Sequence, residues 1–328
     1  MVENRGKGKA FSKITSFEFN GKKIDFGSPR VMGVLNITPD SFYDGGRYFK
    51  SQSAVGFEPG DKSRRRGEVA EGHPEPTTRG KGTPGSQEEE KWREGVNKMV
   101  EDGAYIVDIG AVSTRPGAAT VDDEEEKSRL LPVLKNIRKA YPELIISVDT
   151  YREKIARIAV SEGADMINDI SAGNFDEKMI PFVASSGVPY IMMHIQGTPA
   201  NMQKDPKYDD VVQEVYQFLD ARCRTLTGLG HHKLIVDPGF GFGKTVEHNF
   251  QLLNNLDQFQ RTGFPVMAGL SRKSMINRVL RTIPEDALNG TSVLNTVALL
   301  RGADILRVHD VKEAVEAVKL VGQLASWQ

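Results

Sequence analysis

Eight apolar runs in this 328-residue chain end on side chains that can bind or polarise a ligand. The ends are Asn36, Asp108, Asp149, Asn168 with Asp169, His194, Asp237, Ser271-Arg272-Lys273, and Arg307 with His309. A single polar residue closing a buried strand is ordinary turn chemistry; eight together describe a reactive rim. Arg307 and His309 stand two apart, so on a strand they face the same side. With the Asn36 amide alongside, they suit an anionic group such as a phosphate or diphosphate, and a divalent cation could sit on the Asn36 oxygen. The stretch Ser113-Thr114-Arg115-Pro116-Gly117 adds a second arginine on a turn that exposes backbone. Asp149, Asn168 and Asp237 are acceptors expected opposite this cationic side. There they match adjacent N–H donors, as on the guanidine-like edge of a heterocycle. The loop Asp237-Pro-Gly-Phe-Gly-Phe-Gly-Lys244 alternates glycine with phenylalanine, letting backbone approach a flat ligand with Phe242 as a packing face. His194 reads as a satisfied core histidine, and Met192, Met193 and Met275 as core filling.

Each of these ends needs a strand to carry it. Val31 to Leu35 is one, broken after Asn36 by Thr38-Pro39-Asp40-Ser41 and Asp44-Gly45-Gly46. Further strands are predicted over 105–111, 144–150, 166–172, 189–194, 234–239, 265–271 and 305–310, with helical stretches and Gly turns between them. Eight strands alternating with helices place the chain in the α/β class as a (β/α)8 TIM barrel. An open doubly wound sheet would need a Gly-rich phosphate fingerprint after its first strand, and Leu35-Asn36-Ile37-Thr38 lacks one. Ahead of the barrel, Phe17 to Phe26 alternates around Asn20-Gly21, which predicts a β-hairpin plugging the barrel bottom. Val311, Ala314, Val315, Val318 and Val321 recur at helical spacing and close the ring. A single domain is expected over 16–328, after a disordered N-terminus at 1–15. Residues 51–86 are rich in Gly, Pro, Arg and Glu without apolar periodicity, which predicts a disordered insertion after the first barrel strand. The triplet Arg64-Arg65-Arg66 and His73 within it read as solvated. Order resumes at Ser86 as an N-cap, on a helix bearing Trp92, Val96, Met99 and Val100 that Gly103 ends.

Composition removes several function classes. Lys and Arg number 43 against 44 acidic residues, a net charge of -1, which gives no electrostatic case for nucleic acid or an anionic membrane. The single cysteine, Cys223, excludes a disulfide framework and a cysteine-based zinc site. No run approaches the roughly 20 apolar residues of a membrane span, and the N-terminus has no apolar signal core. A soluble, cytoplasmic protein is expected.

The stretches VMGVLNITPDSFYDGG, VDIGAVSTRPGA, SVDT, INDISAG, YIMMHIQGTP, IVDPGFGFGKTVEHN, GLSRKSMI, LNGT and ILRVHDV together resemble the dihydropteroate synthase family of pterin-binding barrels. They span all but the N-terminus and the insertion. The resemblance implies a transferase of folate (tetrahydrofolate) biosynthesis. In its reaction, 4-aminobenzoate displaces pyrophosphate from 6-hydroxymethyl-7,8-dihydropterin diphosphate to give 7,8-dihydropteroate. It further implies that Asp149, Asn168, Asp237 and Lys273 bind the pterin, and that Asn36, Arg307 and His309 hold Mg2+ and the diphosphate, with Asn36 the metal ligand. Thr114, Arg115 and Pro116, with Phe242, Ser271 and Lys273, would form the aminobenzoate side, where sulfonamides compete in this family. Asp108 would orient the pterin shell, and Met193 and Gly269 would complete the substrate surface. A homodimer joined by helices away from the mouth is implied as well. Two features depart from the pattern: Val112 stands where many relatives have Glu, and the insertion emerges at the reactive face. Two other readings compete. A folate-dependent methyltransferase barrel has no need of Ser-Arg-Lys-Ser or of an Arg–His pair facing a diphosphate. A catalytically impaired pterin-binding barrel would bind ligand without releasing pyrophosphate.

Overall fold

The Asn20-Gly21 pair turns β1 (Ser16–Phe19) back onto β2 (Lys22–Asp25). Both turn residues take positive φ, as a two-residue hairpin turn requires. The computed structural model describes residues 13–38, 84–113 and 121–325. The expectations for Asp40 and the turns after it, for Arg64-Arg65-Arg66 and His73 with most of the insertion, and for Thr114, Arg115 and Pro116 lie outside the described residues.

Eight parallel strands follow the hairpin: β3 (Arg30–Asn36), β4 (Ile106–Gly110), β5 (Ile145–Asp149), β6 (Met166–Asp169), β7 (Tyr190–Met193), β8 (Leu234–Asp237), β9 (Met267–Ala268) and β10 (Ile305–Val308). Their order is β8-β7-β6-β5-β4-β3-β10-β9. A bridge between Val236 and Val266, with the Val236 amide donating to the Pro265 carbonyl at 2.9 Å, joins the two ends into a barrel. The helices around it are α1 (Pro84–Glu101), α2 (Asp123–Ala140), α3 (Glu153–Ser161), α4 (Met179–Ser186), α5 (Val211–Gly228), α6 (Val246–Asn254), α7 (Ser274–Leu280), α8 (Leu288–Leu300) and α9 (Val311–Ala325). The first begins at Pro84, two residues before Ser86, because proline lacks only an N–H that a first turn leaves unpaired.

Alternation along the strands explains why the sequence runs look apolar throughout: both faces are buried. Val107, Ile109, Ile146, Val148, Ile167 and Tyr190 pack outward in the core shared with the helices. The opposite face points into the barrel in layers. The lowest layer takes one residue from each strand, Met32, Ile106, Ile145, Met166, Ile191, Ile235, Met267 and Ile305, and packs on Phe17, Ile24 and Phe26 of the hairpin. The hairpin is therefore the barrel floor. Lys13 to Thr15, expected in a disordered N-terminus, are instead tied to it. Ile14 N donates to the Gly263 carbonyl at 3.0 Å, and Lys13 pairs with Asp304 at 2.6 Å. Every side chain above this floor can then be polar without weakening the barrel's foundation.

Candidate active site

Above the floor, the strand ends open into a cleft of about 140 Å³. Asn36, Asp149, Asn168, Met193, Asp237, Phe242, Gly269, Lys273, Arg307 and His309 all line it. Ten of the residues selected from sequence thus meet at one mouth. Val34, Thr38, Val112, Ser113 and Ile170 line it too; Thr38, Val112 and Ser113 stand in stretches that the sequence marked, whereas Val34 and Ile170 look like core because apolar residues in a buried strand carry no other signal. Ile170 and Met193 belong to a small apolar cluster against which Phe242 packs, giving the cleft one greasy wall beside its polar ones.

Asp108 lies one layer below, fully buried on β4. Its Oδ2 accepts from Arg307 Nε at 2.8 Å, from Arg307 NH2 at 2.7 Å and from Asn168 Nδ2 at 2.9 Å. A carboxylate only accepts, so this contact assigns the Asn168 NH2 inward and frees its carbonyl oxygen as an acceptor. Arg307 also donates to Asp149 Oδ2 at 2.9 Å. The sequence reading set Asp149 across from the cationic side; the structure pairs it with the arginine directly. The reason is register. β3 and β4 alone separate β10 from β5, and a guanidinium pointing into a narrow barrel reaches across them. Burial pushes the Asp149 carboxyl up to about 7 despite the Arg307 charge. Burial also works against the Arg307 cation, but the Asp108 and Asp149 carboxylates prevail and hold its pKa above the ordinary value.

The β8 end is built by glycine. Gly239 has φ +74, and a Cβ there would stand 1.9 Å from the His194 carbonyl oxygen, so loop backbone rests directly on the chain after β7. The Gly239 amide donates to Asp237 Oδ1 at 2.7 Å, while burial raises the Asp237 pKa. Lys273, ahead of α7, donates to the Phe240 carbonyl and sits with Nζ 5.0 Å from the Phe242 ring centroid. Burial draws its pKa down to about 8 against the pull of Asp237. Ser271 does not line the cleft; its Oγ lies 3.0 Å from His309 Nδ1 and accepts the His309 amide at 3.2 Å, holding the imidazole that does. Arg272 turns away to a two-point pair with Asp310, at 3.0 and 2.6 Å.

Two strand ends stay out of the site. Asp169 follows the inward Asn168 and so faces outward, where it accepts from Tyr190 OH at 2.6 Å and from Ser171 and Gly173. His194 likewise follows the inward Met193. It is buried, edge-on to Phe218 at 5.0 Å, and burial drives its pKa down to about 2, in keeping with a packed histidine. Lys244, on which sequence reasoning placed no role, is buried beside it.

No cluster of three His, Cys, Asp or Glu side chains able to hold a metal occurs among the described residues. The Asn36 amide makes no hydrogen bond to a described residue and lines the cleft beside Arg307 and His309. One neutral oxygen of this kind fits Mg2+ as that ion is usually held beside phosphates, with a single protein ligand, substrate oxygens and waters. No helix among the described residues is long and apolar enough to cross a membrane.

Comparison with known proteins agrees with this geometry. Residues 82–309 match the family model of pterin binding enzymes. The dihydropteroate synthase of Escherichia coli (strain K12) is 39% identical over 304 residues, 92% of this chain and 93% of that one. The Yersinia pestis dihydropteroate synthase, solved as a sulfonamide drug complex, superposes with a TM-score of 0.79 at 33% identity, covering 95% of this chain and 100% of that one. The Xanthomonas albilineans enzyme, solved with 4-aminobenzoic acid, gives 0.76 at 35% identity over 94% and 98% of the two chains. With a barrel, a mouth and relatives of full length in agreement, the chain belongs to the dihydropteroate synthase family of pterin-binding enzymes.

Proposed function

We propose that this chain catalyses the dihydropteroate synthase reaction with the roles that follow. The Asp237 carboxylate, the Asn168 carbonyl and Asp149 take the N–H edge of the dihydropterin, while Ile170, Met193 and Phe242 supply the apolar face for its ring. Arg307 and His309 take the diphosphate. Asn36 holds Mg2+, which neutralises charge on that leaving group when bound. Lys273 and Phe242, with Thr114, Arg115 and Pro116, form the aminobenzoate side, Ser271 acts from behind the cleft by holding His309, and Gly269 leaves room beside Lys273. The observation that carries this reading is the Asp108 oxygen that orders Asn168 and Arg307 together, because it fixes an acceptor for the heterocycle and a donor for its diphosphate in one cleft.

The chemistry is an ionisation followed by capture. The C–O bond to the diphosphate breaks with its electron pair leaving on pyrophosphate, and the electron-rich dihydropterin stabilises the methylene cation. The aminobenzoate nitrogen attacks that carbon and loses its proton to the solvent or the departing pyrophosphate. Neutralising the leaving group and fixing the two reactants account for the protein's contribution, with no covalent protein nucleophile. Asp237, at the N–H edge of the ring, has the charge to stabilise the positive charge that spreads into it.

The same reading takes the protein as a cytoplasmic homodimer. Val279, Leu280, Val293, Leu300, Leu320 and Leu324 are each at least half exposed and lie on α7, α8 and α9, which pack side by side. An apolar surface of this kind, remote from the mouth, suits a second copy. Light scattering at micromolar concentration should give twice the chain mass, falling to one with Leu320→Lys and Leu324→Lys together.

The test of the reaction is pyrophosphate release by purified protein with Mg2+, the dihydropterin diphosphate and 4-aminobenzoate, beside an Asp237→Ala control. Release requiring both substrates and lost in the control is the expected result. Pterin binding without release would sink the enzymatic reading and leave a binding barrel.

A further inference from the structure

Lys244 is a buried ammonium group for which the reaction above has no use. Its Nζ meets three acceptors: His194 Nδ1 at 3.0 Å, the His194 carbonyl at 3.2 Å and the Phe242 carbonyl at 3.0 Å. Three donors meeting three acceptors describe a fully satisfied –NH3+, even though burial draws its pKa down to about 7. When Lys244 is charged, His194 Nδ1 must be the acceptor of this contact, with the ring proton on Nε2. The neighbouring peptides of the same loop have other holders. Gly241 is bonded through its amide to Asn249 and through its carbonyl to Gln203, each at 2.7 Å, and the Gly243 carbonyl accepts from Tyr208 at 2.8 Å. The Phe242 carbonyl between them accepts from Lys244.

We propose that Lys244 is a positioning residue of the reaction. It clamps the Phe242 peptide to the His194 backbone and thereby sets the wall against which Lys273 and the aminobenzoate are held. The placement is direct. Gly239 and Gly243 let the loop lie on the chain after β7, with hypothetical Cβ atoms 1.9 Å from the His194 carbonyl and 2.4 Å from that of Gln196. Lys244 ties the same two segments from within. The Phe240 carbonyl and Phe242 ring then receive the Lys273 ammonium. Loss of the clamp frees Phe242 and lets Lys273 follow, while Asp149 and Asn168 stay on Arg307 and Asp108, and Asp237, kept on the Gly239 amide, loses only the weakest of the three cations that favour its carboxylate. The inference rests on the aminobenzoate-side assignment proposed above.

The experiment compares wild type, Lys244→Met, Phe242→Ala and the double variant. Each is measured for steady-state kcat and KM for both substrates, equilibrium pterin binding and melting temperature. Methionine keeps the stem volume without the charge but leaves His194 Nδ1 and two carbonyls without this donor, so a lowered melting temperature is expected beside the kinetic effect. Wild-type turnover first establishes the reaction, so its absence would count against that reading and not be confused with failure of the clamp. In Lys244→Met, KM for 4-aminobenzoate should rise about tenfold with pterin affinity within threefold of wild type. The losses in the double variant should be clearly less than additive, since the Phe242 ring is the main group that the clamp positions. Additive losses in the double variant, parallel weakening of both substrates, or an unchanged aminobenzoate KM would each overturn the proposal. If Lys244→Met does not fold, His194→Gln, which removes the Nδ1 acceptor together with the ring packed on Phe218 but keeps the backbone carbonyl at that position, is put through the same measurements with the same expected direction.

Discussion

A single oxygen of Asp108 holds both Nε and NH2 of Arg307, at 2.8 and 2.7 Å, while its other oxygen is buried without a hydrogen bond to any described residue. The same oxygen takes the Asn168 amide. One carboxylate therefore fixes two side chains that the proposed mechanism assigns to opposite ends of the substrate. Arg307→Lys could not reproduce this, because an ammonium lacks the planar fork that reaches Asp108 and Asp149 at once.

Asp108→Asn is expected to cost more than its distance from the cleft suggests. The new amide can keep its oxygen at the Oδ2 position for Arg307 and Asn168, but its NH2 then occupies the buried Oδ1 position, where no described residue accepts, and the largely buried guanidinium loses the charge facing it. Breaking a buried pair from one side is worth about 3 kcal/mol. Urea unfolding should show a loss of that order, and pyrophosphate release should fall about 100-fold. Activity within threefold of wild type would show that Asp149 suffices to hold Arg307.

Ser271→Ala tests how His309 is held. The hydroxyl both faces Nδ1 and accepts the His309 amide, so its removal takes this contact from two groups of His309 at once. A net loss of about 1 kcal/mol for each of the two contacts predicts roughly a 30-fold drop in kcat/KM for the dihydropterin diphosphate. Because Ser271 does not line the cleft, KM for 4-aminobenzoate should change less. The opposite pattern in the two KM values would place the Ser271 hydroxyl on the aminobenzoate after all.

The pH response follows from Lys273. Its pKa in the folded chain is drawn down to about 8 from 10.5 in an unfolded chain, first by burial. The folded state therefore binds fewer protons than the unfolded state between these values. By linkage, this group's contribution to stability rises with pH from about 8 to 10.5 and is lost as pH falls through about 8. Activity runs the other way, since the cation is the form that grips the Phe240 carbonyl and ring. A plot of kcat/KM against pH should fall above about 8, and Lys273→Arg, which cannot titrate there, should abolish that limb.

Gly239→Ala should not be tolerated. The φ of +74 already disfavours a side chain, and the added carbon would stand 1.9 Å from the His194 carbonyl. Ala at this position requires the loop or the chain after β7 to move. The measurement is the melting temperature with pterin binding on any folded fraction; a wild-type value for both would mean that the loop shifts freely.

The strand positions, the barrel and the membership of the rim were legible in the sequence because each rests on local pattern. Apolar runs doubly buried in a parallel sheet, Gly turns between units and a polar residue at each run's end are written consecutively in the chain. So was the hairpin floor, through alternation around Asn20-Gly21. Alternation alone also separates Asn168 from Asp169 and Met193 from His194, although a list of polar strand ends pairs the first two as equals and names His194 in place of Met193. Partnerships were another matter. Period two says which side of a strand a residue faces, but the stagger of closed strands decides which residues share a level. That stagger brought Arg307 to Asp108 and Asp149, residues 199 and 158 positions away along the chain. Lys244 was invisible for the same reason: a lysine at the end of a glycine loop looks solvated until the fold packs it, with three acceptors, beneath the loop it ends. Sequence supplied the side chains and their faces; tertiary structure chose their partners, because hydrogen bonds between distant elements exist only once the barrel has closed.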